Sequence, residues 1–554
     1  MPNKLSYPIL ILFLLAVFLV QAVYIKNTQP LPILGFTPEL ILEYQAGLNF
    51  EKYGFLTHLF SIDYSSSPDS FDHPYIYSHQ FNLPAILIGV LLYCKLPLVF
   101  MRLFFVLISL GGVVYLFKVI DLVTRDRFLA LLLACLSCLY FNESFLYLEH
   151  STHSFYSIVY FGGFYYFIKF IKCDKNLYLY LYSGFLALGL LANTIAVTPL
   201  IIATAAYSFF FARRCFLKIL LFQGGLVFSF IALMMLRNSI VLGWQFAWQD
   251  FLYTLTNRIF SIPSREDLSD LYKDNGVVLW GVQDYRLGFF FYWLKAPFIN
   301  MLNIFGAISF LPLAYLLYKS DRFKRQYIKT ILQILLILWG TYFWHFLFMS
   351  YGTNYIFVFL DKATYLILIF LIYLSLLYLK RNWYFESKFI FKKRIFSMLL
   401  AGFIFGLFFF VAGNVADQFY GNQFKTFLAQ YKTIRLNQKY SLVDLSKYTD
   451  KSKNQQVAIA TNIDGMVAGF FFPGVIVKGG CNLDALNDKN SGKCLSTFNL
   501  KNKNPTHQFI LYSTTLIPGH TSCDLKCMEA DLKYLKSRYK SISMDIPGFY
   551  LFQI

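Results

Sequence analysis

Long apolar runs separated by short polar stretches dominate this chain. Several runs approach or exceed the roughly 18 residues that a helix needs to cross about 30 Å of hydrocarbon. The clearest runs are Tyr7–Ile25, Leu103–Leu122, Ile219–Leu236, Ile328–Phe348, Lys362–Leu379 and Ile395–Gly413. This pattern predicts an α-helical multi-pass membrane protein.

The composition supports a lipid environment. Hydrophobic residues make up 57% of the chain and charged residues only 14%, against about a quarter charged in a soluble domain. The net charge of +19 could indicate nucleic-acid binding, but the basic residues form no single patch. They lie mainly in short loops between apolar runs, so we expect a membrane and no nucleic acid as partner.

Loop charge also predicts topology, because Lys and Arg stay on the cytoplasmic side. The basic loops are Arg125–Arg127, Lys169–Lys175, Ala212–Lys218, Lys319–Lys329 and Lys380–Arg394. Placing them inside puts residues 26–102, 143–154, 237–296, 349–361 and 414–554 outside. The count gives about eleven spans in a plasma (bacterial inner) membrane, with the N-terminus cytoplasmic and the C-terminus outside.

Two apolar segments need separate interpretation. Pro84–Pro97 is too short for an ordinary span, and a crossing there would break the inside–outside count, so we predict a re-entrant or interfacial helix. The first run could be a secretory signal peptide with a weak cleavage site at Val20-Gln21-Ala22. Its basic region is only Lys4, which favours an uncleaved first helix.

A change to polar composition near Asn414 predicts a boundary between a membrane domain, residues 1–413, and a small non-cytoplasmic α/β domain, residues 414–554. Its expected elements are strands at Gln455–Thr461, Gly474–Lys478 and His507–Ser513, helices at Asp464–Phe472 and Asp524–Tyr539, and a hairpin at Ser541–Ile554. No nucleophile motif or phosphate-binding glycine loop is visible there, which favours a lid or accessory role.

The nine cysteines fall into two groups. Five lie in or beside apolar runs and are predicted to be inert packing thiols: Cys94, Cys135, Cys138, Cys173 and Cys215. Four lie in the C-terminal segment and indicate two disulfides in an oxidising compartment: Cys481, Cys494, Cys523 and Cys527. Local pairing, first with second and third with fourth, is favoured among three connectivities. A zinc site is the alternative, but the spacings match no common finger.

The first outside loop, residues 26–82, contains a predicted surface helix. Thr37-Pro38-Glu39 is a typical helix start, and Glu39 suits the positive end of the helix dipole. Glu43 lies four residues on and shares a face with Glu39. Gly54 is a natural helix stop. We therefore expect a short helix along the membrane surface with carboxylates near its start.

Acids and imidazoles lie in both of the first two outside loops. Asp72, His73 and His79 stand among aromatic residues, a mixture that suits a polar ligand at the lipid boundary, although interfacial aromatic belts produce part of it. Glu149 and His150 lie between two spans, and ionisable groups at that depth are functional candidates.

The order of short motifs resembles that of the C-fold membrane glycosyltransferases, with the dolichyl-phosphate-mannose protein mannosyltransferases and the bacterial aminoarabinose transferase nearest. The motifs are the first-loop acid Glu39, Tyr53-Gly54-Phe55, His73-Pro74-Tyr75, Arg102-Leu103 and Gly189–Asn193. The likeness covers roughly residues 7–380, and each motif is short and degenerate.

This resemblance implies transfer of a sugar from a polyprenyl-phosphate carrier to a lipid, glycan or protein acceptor on the outer face. The first-loop acid of the group is often an Asp-Glu pair, whereas this chain has Pro38-Glu39. Glu39 matches the second member and is the expected general base, with Glu43 as the alternative. Glu149 corresponds approximately to the acid of the second loop.

Such a transfer needs a carboxylate to accept a proton and cations to hold the leaving phosphate. Arg102 is the first candidate cation, with Arg258, Arg265 and Lys362 as others. The residues expected to bind substrate are Glu43, Asp72, His73, His79, Arg102, Glu149 and His150. No cofactor is required, because the leaving group is a monophosphate, but a divalent metal at Glu149, His150 and His153 stays open.

Simpler explanations exist for these residues. Glu39 could merely complement the helix dipole, Glu43 could be a solvated helix residue, and Arg102 could extend towards lipid headgroups. A different class, a polytopic transporter or lipid flippase, predicts charged spans and two related halves. The chain shows no internal repeat and its spans are nearly free of charge, which favours the transferase. A receptor-like structural protein would not need clustered acids.

Overall fold

The computed structural model describes about half of the chain, and the described residues are mostly helical. They are residues 5–27, 38–57, 59–63, 76–78, 81–139, 151–192, 194–260, 322–339, 366, 370, 373, 457–461, 476–478, 507–513, 525–542 and 549–553.

Twelve helices have defined bounds within these residues. They are α1 (Ser6–Asn27), α2 (Pro38–Tyr53), α3 (Leu83–Tyr93), α4 (Leu98–Thr124), α5 (Arg127–Leu139), α6 (Ser151–Cys173), α7 (Asn176–Ala192), α8 (Thr194–Phe211), α9 (Arg213–Leu242), α10 (Trp244–Phe260), α11 (Arg322–Trp339) and α12 (Leu525–Arg538). A two-stranded ribbon, β1 (Ile62–Asp63) and β2 (Ile76–Tyr77), follows α2.

Three of these helices, α1, α4 and α9, are long and apolar enough to cross a membrane. They contain the apolar runs that the sequence indicated at these places, so the helical assignment of those runs is confirmed. Most of the short apolar segment Pro84–Pro97 lies in α3, a helix of 11 residues, so its helical character is confirmed, and its re-entrant or interfacial placement stays a prediction. The run at Ile395–Gly413 and most of Lys362–Leu379 lie outside the described residues.

The connections between helices are shorter than the sequence predicted. Arg213–Lys218 is not a loop but the start of α9, and only Ala212 separates it from α8. Lys169 and Lys172 belong to the end of α6, and Lys175 lies in the short connection to α7. Lys and Arg are good helix formers, and their long stems reach polar surroundings from a helical backbone. A helix therefore continues where the hydropathy pattern ends.

The same correction applies at the other ends of α9 and α6. Residues 237–242 belong to α9, and Gly243 alone connects it to α10. Ser151 already begins α6, so the second predicted outside loop ends earlier than residue 154. In each case the helix extends over polar residues beyond the apolar run, because the main-chain hydrogen bonds of a helix do not depend on side-chain polarity.

Helices α4 and α6 pack along each other and form the centre of the bundle. One apolar cluster joins α4 to α1, α5 and α11, and a second joins α6 to α7, α8 and α9. Polar side chains inside the second cluster form hydrogen bonds with one another. Gln223 Nε2 donates to Thr204 Oγ1 at 2.7 Å, and the Tyr182 hydroxyl lies 2.8 Å from the same oxygen.

The predicted packing thiols differ in their burial. Cys138 and Cys215 are buried and Cys135 is partly buried, as expected, but Cys94 and Cys173 are exposed. The prediction is wrong for those two because each lies at the end of its apolar helix, where the neighbouring turn no longer covers it. None of these five described cysteines is part of a disulfide.

The C-terminal region contains a five-stranded sheet with the order β4-β3-β5-β7-β6. Its strands are β3 (Val457–Thr461), β4 (Ile476–Lys478), β5 (His507–Ser513), β6 (Lys540–Ile542) and β7 (Phe549–Gln553). Strand β3 is parallel to β4 and β5, whereas β7 is antiparallel to β5 and β6. The predicted strands, the terminal hairpin and α12 form, and Leu535 of α12 and Phe552 of β7 are buried together.

Two C-terminal predictions lie outside the described residues. The helix expected at Asp464–Phe472 is one of them. The disulfide pairing is the other: Cys481, Cys494 and Cys523 are not described, and Cys527 is placed on α12 by its backbone only.

Candidate functional site

Helix α2 is fixed on α3 by a close approach of two backbones. A Cβ atom added at Gly47 would lie 2.6 Å from Ile88 Cγ2, and one added at Gly89 would lie 2.8 Å from Phe50 Cβ. Asn82 caps α3, because its Oδ1 accepts a hydrogen bond from the Ala85 amide at 3.3 Å. Small residues at the contact therefore hold α2 in one position.

The chain reverses after α2 and returns along it. Gly54 has a φ of 88°, a backbone conformation that glycine adopts without strain, so the predicted helix stop is confirmed. The ribbon then places Asp63 opposite Ile76. Asn49 Nδ2 donates to the Asp63 carbonyl oxygen at 2.8 Å, which fastens β1 to α2.

A cleft of about 240 Å³, including its open mouth, lies between the end of α2 and β1. It is lined by Ala46, Asn49, Phe50, Tyr53, Gly54, Ser61 and Asp63. The Ser61 hydroxyl is buried there and has no hydrogen-bond partner among the residues that the structure describes. A water molecule in this cleft would satisfy it.

Glu43 is buried, with 2% of its surface exposed, so its interpretation as a solvated helix residue is wrong. The neighbouring Tyr44 packs against a cluster that contains Met101, Phe105 and Phe155. Burial, followed by the charge of Glu51, raises the pKa of the Tyr44 hydroxyl above its ordinary value. The helix face that carries Glu43 is therefore directed into the protein, where α3 and α6 pack against α2.

Arg102 lies near the start of α4 and is 1% exposed. Its Nη1 donates to the Ile25 carbonyl oxygen, at the end of α1, over 3.4 Å. The alternative in which this side chain extends to lipid headgroups is therefore wrong. The guanidinium group is held inside the end of the bundle where α1 ends and α4 begins, which we call the α2 end.

A second buried arginine, which the sequence analysis missed, lies at the same end. Arg237 donates from Nε and Nη2 to Asn238 Oδ1, at 3.1 and 2.8 Å. Arg237 Nη2 and Asn238 Nδ2 also donate to the Ser78 carbonyl oxygen, at 3.3 and 2.8 Å. The Ser78 hydroxyl donates to Asp250 Oδ2 at 2.7 Å. We call these four residues the Arg237 network.

The Arg237 network connects the segment after β2 to the end of α9 and to α10. The Arg237 guanidinium also lies 4.4 Å from the centre of the Phe81 ring, a cation–π distance, and Phe81 packs edge-on against Phe230. A sequence signal existed, since Arg237-Asn238 follows an apolar run directly and ionisable groups at such positions are functional candidates. Its partner Ser78, however, lies 159 residues away.

The structure thus brings four charged side chains to the α2 end. Glu43, Arg102, Arg237 and Asp250 are 2%, 1%, 5% and 3% exposed. Charged residues are almost never this buried unless partners compensate them, because removing each charge from water costs several kcal/mol. Such groups cluster where a protein handles charged or proton-transferring chemistry. Carboxylates can accept protons there, and guanidinium groups can bind phosphate.

The other predicted site residues are not all placed. Glu39 lies in the first turn of α2 and Arg258 in α10, both by backbone only. Outside the described residues lie Asp72, His73, His79, Glu149, His150, Arg265 and Lys362. Within the described ranges, no group of three or more His, Cys, Asp or Glu residues could hold a metal ion. Of the predicted metal ligands, Glu149 and His150 are not among those ranges, and His153 lies in the first turn of α6 by backbone only.

Comparison of the chain with models of protein families, with curated proteins and with solved structures found no match. The buried charges of the α2 end and the order of motifs in the sequence are therefore the two observations that bear on function.

Proposed function

We propose that this chain is a membrane glycosyltransferase that moves a sugar from a polyprenyl-phosphate carrier to a lipid, glycan or protein acceptor. The observation that carries the proposal is the concentration of Glu43, Arg102, Arg237 and Asp250, all buried, at one end of an apolar helical bundle. Helix α2 covers that end and carries Glu39 in its first turn. Carboxylates and phosphate-binding cations are the groups that this reaction requires.

The proposal includes a topology of eleven crossings, with residues 414–554 outside and two disulfides among Cys481, Cys494, Cys523 and Cys527. The apolar character of α1, α4 and α9 supports it. The bonds from Ser78 to Arg237 and Asp250 add support, since they require the first and third predicted outside stretches to lie on one side.

The proposed reaction is a single displacement. The acceptor hydroxyl oxygen attacks the anomeric carbon of the sugar while the bond from that carbon to the phosphate oxygen breaks. The electron pair of that bond leaves with the polyprenyl phosphate, and Glu39 takes the hydroxyl proton. General-base assistance of this kind contributes about 10²–10⁴-fold.

The two buried arginines have different proposed roles. Arg102 binds the leaving phosphate, for which a guanidinium group is suited because it can donate two parallel hydrogen bonds. Arg237 holds Ser78 of the first loop beside Asn238, so it positions that loop. Asp72, His73, His79, Glu149 and His150 hold sugar or acceptor in this proposal, Glu43 supports the base, and no cofactor is required.

The test is turnover of polyprenyl-phosphate sugars by the full chain in proteoliposomes, measured as released polyprenyl phosphate. Glu39→Gln keeps the size of the side chain but cannot accept the proton, and we expect turnover to fall by about 10²-fold or more. Glu51→Gln is the matched control, because Glu51 is an exposed glutamate on the same helix. Its turnover should equal that of the native chain.

Three outcomes would contradict the proposal in different ways. Equal turnover in Glu39→Gln removes Glu39 from the chemistry. Movement of the intact lipid-linked sugar across the bilayer without cleavage would favour the flippase. Labelling that maps residues 26–82 and 143–154 to opposite sides of the membrane would leave the reaction without a shared site.

A further inference from the structure

A cluster of lysine and tyrosine side chains lies at the opposite end of the bundle from α2. Lys118 Nζ is 5.2 Å from the ring centre of Tyr115 and 5.8 Å from that of Tyr165. Lys169 Nζ is 5.4 Å from the ring centres of both Tyr165 and Tyr178. We call these five residues the Lys–Tyr cluster. Two ammonium groups therefore share one aromatic ring.

Three helices build the floor of this cluster. Tyr115 and Lys118 lie one turn apart on α4, Tyr165 and Lys169 one turn apart on α6, and Tyr178 lies on α7. The rings of Tyr115 and Tyr165 are 5.9 Å apart. Tyr115 also packs edge-on against Phe185 of α7 at 5.3 Å. Because these rings pack against one another, they form a rigid surface beneath the two lysine ammonium groups.

The Lys–Tyr cluster carries an excess of positive charge. In the part of the chain that the structure describes, neither lysine has a carboxylate within ion-pairing distance. The nearest acid along α4, Asp121, faces Arg127 instead, with 3.6 Å between Arg127 Nε and Asp121 Oδ2. Like charges near one ring repel each other, and the repulsion grows where water is scarce. An anion beside both ammonium groups would remove this repulsion.

The depth of the Lys–Tyr cluster in the membrane indicates which class of anion it binds. Lys118 lies six residues before the end of α4 and Lys169 four before the end of α6, so the two lie about 9 and 6 Å from those ends. In a spanning helix, this is where the headgroup phosphates meet the hydrocarbon. One turn deeper on α7, Leu181 is 37% exposed and offers an apolar surface for an acyl chain.

We propose that the Lys–Tyr cluster binds the headgroup phosphate of an anionic phospholipid, on the side that loop charge predicts to be cytoplasmic. Basic pockets between helices on that side are suited to anionic headgroups. The inference rests on α4 and α6 crossing the membrane, but not on glycosyl transfer. Arg102 and Lys118 are 16 residues apart on α4, or about 24 Å, so this site is separate from the α2 end.

The experiment is native mass spectrometry of the full chain in detergent, titrated with phosphatidylglycerol or phosphatidylcholine. We expect the native chain to prefer phosphatidylglycerol. In the double variant Lys118→Gln/Lys169→Gln, the affinity of the chain for phosphatidylglycerol should fall about 5-fold for each lysine, or about 25-fold in total. Phosphatidylcholine affinity should not change. Lys118→Arg/Lys169→Arg keeps both charges and should restore binding.

Lys52→Gln is the matched control, because Lys52 also stands over a tyrosine, Tyr53, at 4.6 Å, but at the α2 end. It should bind phosphatidylglycerol as the native chain does. If the double variant fails to fold, the single variant Lys118→Gln must still show the 5-fold loss. Unchanged affinity in a folded variant would overturn the proposal, as would displacement of phosphatidylglycerol by excess inorganic phosphate, which would indicate a site for free phosphate.

This readout is independent of the proposed transferase activity. Glu39→Gln should bind phosphatidylglycerol normally, and the lysine variants test the lipid site even if no sugar is transferred. A loss of phosphatidylglycerol binding in Glu39→Gln equal to that in the double variant would contradict the separation of the two sites.

Discussion

The contact between α2 and α3 offers a sharp test, because a single methyl group disturbs it. In Gly47→Ala, the new Cβ would lie 2.6 Å from Ile88 Cγ2, 3.2 Å from Ile88 Cβ and 3.1 Å from the Gly89 backbone nitrogen. The Ile88 side chain is fully buried, so it cannot shift into solvent to make room for the new methyl group. The substitution must therefore push α2 away from α3.

The size of the effect follows from two opposing terms. Alanine stabilises a helix interior by about 1 kcal/mol relative to glycine. Overpacking a filled contact costs about 1–3 kcal/mol. The net change in the free energy of unfolding is therefore about 0–2 kcal/mol of destabilisation. A shift of α2 by about 1 Å would move Glu39 and Glu43 from their positions and could lower turnover by about 10²-fold.

The matched control is Gly224→Ala, which makes the same substitution inside helix α9. Within the described part of the chain, no heavy atom beyond the neighbouring backbone of α9 lies within 4 Å of a Cβ added at Gly224, so only the gain in helix propensity remains. Apparent melting temperature in detergent and turnover of the lipid-linked sugar are measured for both variants. We expect Gly47→Ala to melt below Gly224→Ala, by an amount equivalent to about 1–3 kcal/mol, and to lose turnover.

Equal melting temperatures for the two variants would refute the close packing of α2 on α3. A lower melting temperature of Gly47→Ala with unchanged turnover would be consistent with the close packing of α2 on α3, but it would show that α2 is not part of the active site. The two readouts therefore separate the fold of this region from its proposed chemistry.

Two further predictions concern the α2 end. Ser78→Ala removes the hydrogen bond to Asp250 Oδ2, and we expect about 1–3 kcal/mol lower stability to denaturant, whereas Ser229→Ala, which loses an exposed bond to Gly225, should change little. Tyr44 has a raised pKa in the folded chain, so its contribution to stability is complete below the ordinary value of about 10 and is lost as pH rises through the raised pKa. Tyr44→Phe should therefore reduce the loss of stability above about pH 10, and an unchanged alkaline profile would contradict the burial of this hydroxyl.

Local sequence was sufficient for much of the secondary structure. The start of α2 at Pro38 and its end before Gly54 follow from backbone preferences, which involve only neighbouring residues. The strands at Val457–Thr461 and His507–Ser513 follow from short apolar runs. The ends of α6 and α9 could not be predicted in the same way, because hydropathy reports the environment of side chains and not the hydrogen bonds of the backbone.

The candidate site was only partly predictable. Three of its residues could be identified as candidates from the sequence, because they lie in or beside short motifs: Glu39, Glu43 and Arg102. The burial of Glu43 could not be predicted, because its helix could have turned either face to the bundle. Arg237 and Asp250 were missed because their partner Ser78 lies 159 and 172 residues away.

The sequence by itself determined where apolar helices form and where polar segments interrupt them, since hydropathy and helix capping act between residues that are near in the chain. Only the tertiary structure decided which polar groups meet at the α2 end and which lysines share a ring at the other. Those contacts depend on how α4, α6 and α9 pack, and packing is a property of complementary surfaces that distant parts of the chain contribute.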